Sequence, residues 1–335
     1  MATVTSISKQ RVDWIDTAKG FCIMLVVFNH VFCYYGPKEE CPPAIYNFFD
    51  AFRMPLYFFL SGLFFKTYGS FGNFAKKKTN KLIIPFVFFY VVSCPIRVFF
   101  NKISSVEHSF ADYLLSFYYN HCGLVNGPLW FLLCLFEVNL IFFLLHIIFK
   151  KEYLLLVLSF MIGLFGLMLS YYELQLPMTL ATAFTCLPFF STGFFVRNHT
   201  KILYESKVDS YLKPLALVCG LICFFFAGTV LYVENSFDQT SYFTAHLCGI
   251  AGTLMVFFIS KIVGPLPVVT YIGRYSIVIL CTHIFVVKTF LVVLRISSLS
   301  LNFFLLFIIV MLIELALVPV MIKYLPHVTA QKDLI

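Results

Sequence analysis

Long apolar runs recur along the whole chain, and short polar or Pro- and Gly-bearing segments separate them. A helix that crosses a bilayer needs about 20 mostly apolar residues. Ten runs meet that length, at roughly 14–35, 45–66, 83–101, 127–149, 153–171, 177–196, 213–232, 241–261, 273–294 and 302–324. The expected fold class is therefore an all-α integral membrane protein of about ten transmembrane helices. No long linker and no charged soluble stretch interrupts them. The expectation is one membrane domain over 1–335, without a soluble C-terminal domain. No internal repeat is evident, which weighs against a repeat-built transporter.

Composition excludes the main alternatives. Hydrophobic residues make up 61% of the chain and charged residues 12%. Soluble domains carry roughly 45–50% apolar and about 25% charged residues. A disordered chain needs low hydrophobicity, and a coiled coil needs many charges. The net charge of +8 is not a nucleic-acid signal in such a chain, because excess Lys and Arg collect in cytoplasmic loops.

The basic residues alternate between loops. Lys66, Lys76, Lys77, Lys78 and Lys81 form one group, followed by Lys150 and Lys151, then Arg197, Lys201, Lys207 and Lys213, then Lys261 and Arg274. Lys9, Arg11, Lys323 and Lys332 place both termini in the same set, whereas the opposite loops hold Lys38, Lys102 and Arg295. The positive-inside rule then puts both termini in the cytoplasm, which an even number of helices permits. The first run is too long for a signal-peptide core and lacks a cleavage site, so it reads as an uncleaved helix of an inner (plasma) membrane protein.

Most of the eleven Cys lie inside apolar runs, as at Cys22, Cys94, Cys134, Cys219, Cys223 and Cys281, where Cys acts as a small hydrophobe. No CxxC pair occurs, so no metal site is expected. Cys41 and Cys122 fall in loops on the expected outer side, and sequence leaves open whether they are bridged. His108 and His121, in the long loop at 102–126, read as solvated residues rather than ligands.

Ionisable residues inside a membrane are costly and mark function by default. Here they are Asp16, Lys19 and His30 in the first helix, Arg53 in the second, Glu137 in the fourth, His283 and Lys288 in the ninth and Glu314 in the tenth. Lys19 and His30 are eleven residues apart, so they share one helix face about 16 Å apart along the axis. Asp16 falls on nearly the same stripe. A cation low and an imidazole high on one face suit a long ligand with a phosphate end and a reactive end. The plainer alternative is a snorkelling Lys19 and a His30 hydrogen-bonded between helices. Arg53 should lie at the depth of His30, where it would favour a neutral imidazole or stabilise developing negative charge. Its alternative is an ion pair with Asp50. For Glu137, Glu314 and His283, hydrogen bonding between helices competes with catalysis. Trp14 and Trp130, at helix ends, read as interfacial anchors.

Three segments then coincide: Arg11-Val-Asp-Trp-Ile-Asp16-Thr-Ala-Lys19-Gly20 continuing to Asn29-His30; Phe52-Arg53-Met54-Pro55-Leu56-Tyr57-Phe58-Phe59-Leu60-Ser61-Gly62; and Gly127-Pro128-Leu129-Trp130-Phe131-Leu132. In this order they resemble the membrane-bound acyltransferase 3 family, ten-helix proteins that O-acylate sugars and other surface molecules. Gly273-Arg274-Tyr275-Ser276-Ile277 through His283 is similar to the family's late-helix motif. The resemblance implies an acyltransferase that uses cytoplasmic acyl-CoA, with acetyl-CoA first and succinyl as the alternative. The acceptor would be a hydroxyl of a surface or lipid-linked glycan. It implies His30 as the catalytic base with Arg53 beside the acyl group, and Arg11, Asp16 and Lys19 at the donor. Ser61, Trp130, Glu137 and His283 are possible supporting residues. Acyl-CoA enters as co-substrate, and no permanently bound cofactor is expected. Oligomeric state is not legible. Membrane lipids are the other expected partners, and the competing function is a lipid-linked glycan transporter or flippase.

Overall fold

A computed structural model describes residues 12–35, 43–103, 108–119, 122–172, 174, 176–203, 210–226, 242–297 and 302–335. These residues form helices and turns without a strand. In chain order the helices are α1 (Asp13–Tyr35), α2 (Pro43–Leu63), α3 (Phe71–Lys78), α4 (Ile84–Ile103), α5 (Phe110–Tyr119), α6 (Trp130–Ile148), α7 (Glu152–Tyr171), α8 (Leu180–His199), α9 (Leu212–Phe226), α10 (Tyr242–Val263), α11 (Pro267–Arg274), α12 (Ser276–Ser297) and α13 (Phe303–Tyr324).

Among the described residues, eight stretches are long and apolar enough to cross a membrane: Asp13–Tyr35, Phe71–Lys102, Gly127–Ile148, Glu152–Leu169, Leu180–His199, Tyr242–Val263, Ser276–Leu294 and Phe303–Tyr324. Leu212–Phe226 is a shorter apolar helix. The helix α2, with Asp50, Arg53, Pro55 and Ser61 in its 21 residues, is less uniformly apolar. Each long helix falls on a run expected from sequence.

Three shorter elements were not expected. Polar residues hide the first: α3, rich in lysine, joins α4 through a π-helical turn at Thr79–Ile83. Pro85 follows that turn and has no N–H to give a helical partner four residues back. The turn instead closes with the Ile84 N–H donating to the Thr79 carbonyl, the wider bonding of a π bulge. The second, α5, lies in the long loop at 102–126. The third is α11. A continuous helix from 273 was expected, but Gly273 and Arg274 end α11, and α12 starts afresh at Ser276.

The first helix lies between two apolar clusters. Ile23, Val27 and Val31 belong to one with residues of α4, α6, α8, α12 and α13. Ile15, Ala18 and Cys22 belong to the other, with α2, α9 and α10. Large apolar side chains such as Phe99, Met161, Phe165, Phe225 and Leu312 remain exposed, as lipid-facing positions should. Cys22, Cys94, Cys134, Cys219, Cys223 and Cys281 are buried as expected of small hydrophobes. Trp130 is only 4% exposed, so it is a core residue and not an interfacial anchor. Trp14 meets Phe257 edge-on and lies under the Lys261 ammonium, 5.4 Å from the ring centroid.

Glycine sets two helix crossings. A Cβ at Gly62 would overlap the Phe190 carbonyl, and one at Gly193 would overlap the Phe59 carbonyl, so α2 and α8 touch backbone to backbone. The same occurs between α1 and α11, where a Cβ at Gly20 would overlap the Val269 carbonyl and one at Gly273 the Asp16 carbonyl. Small residues permit this close approach in membrane proteins.

Residues 325–335 turn back onto the π turn. Asn80, only 1% exposed, donates to the Ile335 carbonyl at 2.8 Å and accepts the Leu334 N–H at 2.6 Å. Asp333 pairs with Lys77 at 2.6 Å and Lys81 at 3.1 Å.

Candidate active site

The close contact of α1 with α11 brings Arg274 to the start of α1. Its guanidinium lies 3.1 Å from Asp13 and 3.8 Å from Asp16. Asp16 is buried and also lies 3.4 Å from the Lys19 ammonium, one turn along α1. These groups edge a cavity of about 390 Å³ whose lining includes Lys19, Lys78, Arg274, Ser61, Tyr57 and Ser276. Lys78 and Leu82 both face it, while Lys77 and Lys81 on the same segment hold Asp333. The cavity floor is apolar, with Phe131, Leu132, Leu135, Ile277 and Leu280. The Tyr57 hydroxyl donates to the Lys19 carbonyl at 3.1 Å and ties α2 to α1.

Leu280 is one helical turn before His283 on α12. There the two expected histidines meet: His283 Nε2 is 3.2 Å from His30 Nδ1, with ring centroids 5.0 Å apart. His283 is fully buried. Its Nδ1 lies 2.7 Å from the Ile279 carbonyl, which can only accept, so that nitrogen carries a hydrogen. His30 Nδ1 lies 2.8 Å from the Val26 carbonyl and carries one for the same reason. A hydrogen bond between the rings then requires a lone pair on His283 Nε2, which makes His283 a neutral acceptor. The Nε2 of a neutral His30 is left as its lone-pair nitrogen. A base whose second nitrogen is held by an acceptor has the geometry of the familiar nucleophile-activating dyads.

The other sequence candidates divide. Arg53 pairs with Asp50 on α2, the alternative reading. Cys22 Sγ donates to the Arg53 carbonyl, which fixes the α1–α2 contact at this level. Ser61 and Lys19 line the cavity. Trp130 meets Phe131 edge-on in the core, and it is Phe131 that lines the cavity. Glu137 accepts from the Thr179 hydroxyl ahead of α8. Glu314 accepts from the Thr282 hydroxyl at 2.6 Å and is fully buried. Among the described residues no contact joins Glu137 to the histidine pair; its hydrogen bond ties α6 to the start of α8. His108 is exposed. Arg11, Cys41 and His121 lie outside the described residues.

Sequence reasoning missed Lys78 and Arg274 as cavity residues. Lys78 sits in a run of three lysines that the positive-inside rule accounts for without a ligand. Arg274 is adjacent to Gly273, and that glycine was the available signal, since its value lies in close approach.

Comparison with known proteins identifies the family. Residues 12–321 match the acyltransferase 3 family, described as an acyltransferase domain. The chain belongs to the acyltransferase 3 family. Membership makes it a membrane acyltransferase, and the match spans α1 through nearly all of α13. No curated protein and no solved structure matches this acyltransferase.

Proposed function

We propose that this acyltransferase moves an acyl group, acetyl first, from cytoplasmic acyl-CoA to a hydroxyl of a surface or lipid-linked glycan. In this reading the chain spans the inner (plasma) membrane ten times as a single domain, with both termini in the cytoplasm. The observation that carries the proposal is a cationic cavity that leads along α12 toward the His30–His283 pair. Lys19, Lys78 and Arg274 would hold the CoA phosphates as charge-assisted contacts, and Arg11 would join them. Asp16 would position Lys19 and Arg274. The pantetheine arm would fill the apolar depth past Ser61.

His30 Nε2 would accept the acceptor's hydroxyl proton as its oxygen attacks the thioester carbonyl. The tetrahedral oxyanion would draw on the Arg53 charge. Collapse breaks the C–S bond and expels the CoA thiolate, which takes the proton from His30 and leaves as the thiol. The ester stays on the acceptor. His283 touches neither reactant in this scheme. It acts as a positioning residue that fixes the His30 tautomer and accepts the Nδ1 hydrogen bond as the ring becomes charged.

Membranes bearing wild type or His30→Ala, supplied with acetyl-labelled acetyl-CoA and the host's surface glycan fraction, test this. Loss of a positioned base costs typically about 10²–10⁴-fold, so alkali-labile label should appear only with wild type. Equal transfer by both proteins would remove His30 from the chemistry.

A further inference from the structure

On the far side of the histidine pair from the cavity stand two cations of a different kind. Tyr34 is one turn past His30 on α1, and Lys288 is five residues past His283 on α12. The Lys288 ammonium lies 5.4 Å from the Tyr34 ring centroid, so this contact repeats the His30–His283 contact about one turn further on. Arg97 of α4 donates its Nε to the Leu124 carbonyl at 3.0 Å. Asn126 donates to the Ser93 hydroxyl at 3.3 Å, one turn before Arg97 on α4, and to the Cys281 carbonyl at 2.9 Å, two turns before Lys288 on α12, so the two cations rise from helices tied together one to two turns below them. Both side chains are half-buried on membrane-spanning helices.

Neither cation has a carboxylate among the described residues. The ion pairs of α1, α2 and α11 are Lys19–Asp16, Arg53–Asp50 and Arg274 with Asp13 and Asp16. Lys288 has an aromatic face and Arg97 a carbonyl. Two like charges on membrane-spanning helices tied together in this way, with no counter-ion among the described residues, are costly. An anion between them removes that cost, and both are suited to it: Arg by its planar fork, Lys as a mobile point charge. The rise from His283 to Lys288 is about 7 Å, which leaves room for a hydroxyl-bearing group between the anion and His30.

We propose that Lys288 and Arg97 form an anion-binding subsite and that the acceptor is itself anionic. A phosphate or carboxylate on it docks between the two side chains and brings the acceptor hydroxyl to His30. The inference rests on the reading of His30 as the reaction centre. The anion has two chemical sources, the phosphate of a lipid carrier or an acidic group on the glycan.

Binding to purified full-length protein separates them. The probes are a short polyprenyl phosphate and tetragalacturonate, each beside its uncharged counterpart, the polyprenol and a galactose tetramer. Wild type should bind at least one anionic probe and neither neutral one. Lys288→Met with Arg97→Gln should weaken that binding tenfold or more and leave acetyl-CoA binding unchanged, and Lys288→Arg alone should retain it. Binding of the phosphate assigns the carrier, and binding of the uronate assigns the glycan. Wild type that binds neither anion, or a double variant that binds as tightly as wild type, overturns the subsite. Anion binding that persists in a protein with neither acetyl-CoA binding nor label transfer supports the subsite and defeats the acyltransfer mechanism, so the two failures are distinct.

Discussion

The two ends of the His30–His283 pair carry similar charge and opposite bookkeeping. Toward α11, Lys19 and Arg274 are balanced by Asp13 and Asp16. Toward Tyr34, Lys288 and Arg97 have no carboxylate among the described residues. A balanced cation is held in place before its ligand arrives, and the ligand competes with an internal partner, so release is easy. An unbalanced pair takes its counter-ion from the ligand. The first suits a co-substrate that must enter and leave intact at its anionic end. The second suits selection between charged and neutral acceptors.

The sharpest way to break this comparison is to damage one end alone. Gly273→Ala places a Cβ against the Asp16 carbonyl and forces α11 away from α1. Overpacking of this kind costs about 1–3 kcal/mol, and it falls on the wall that carries Arg274. Acetyl-CoA binding should fall by about two orders of magnitude, which corresponds to roughly 2.7 kcal/mol. Anion binding at Lys288 and Arg97 should persist. Parallel losses at both ends, read by direct titration of the two ligands, would show that they are one coupled unit.

A smaller effect is expected at Lys78, which lines the cavity and has no carboxylate partner among the described residues. Lys78→Met should raise KM for acetyl-CoA about tenfold, equivalent to ~1.4 kcal/mol, with kcat held. Steady-state kinetics that show the reverse, a fallen kcat at constant KM, would move the anionic end of the donor elsewhere.

The smallest effect lies in the C-terminal contact. Hydrogen bonds from Lys77 and then Lys81, with their charges, hold the Asp333 carboxyl below the usual carboxylate range. A depressed folded value means that the contact contributes fully above the unfolded value, about 3.9. Its contribution is lost as pH falls through the lower folded value. The protection of amides in residues 329–335, measured against their intrinsic exchange rates at each pH, should therefore fall on acidification in wild type. In Asp333→Asn that protection should already be lower at neutral pH and change little further.

Long apolar runs made the membrane helices legible, because bilayer thickness sets a length that local sequence can reveal. The elements that shape the cavity were not legible on that rule. The stretch from 71 to 82 is polar enough to resemble a loop, and it becomes helical by continuing α4 through a π turn. The break at Tyr275 depends on where α11 docks, which only the contact of Gly20 with Gly273 explains. At the site, eleven-residue spacing placed Lys19 and His30 on one face, and the structure sets them at the cavity and at the histidine pair. Spacing within one helix is local information. The meeting of His30 with His283 spans 253 residues of sequence, and no periodicity carries that. Trp130 misled for a related reason, since a helix end is a membrane interface only when no neighbouring helix covers it.

The contact of Asn80 with Ile335 joins residues 255 positions apart. A ribosome makes the wall that bears Lys78 early and the strap that fastens it some 255 residues later. Throughout synthesis Asn80, Lys77 and Lys81 must wait at the membrane surface without these partners. The cavity is thus finished in time as well as in space by residues made after every helix described above, and a chain halted after α13 would carry those helices and an unfastened cavity wall.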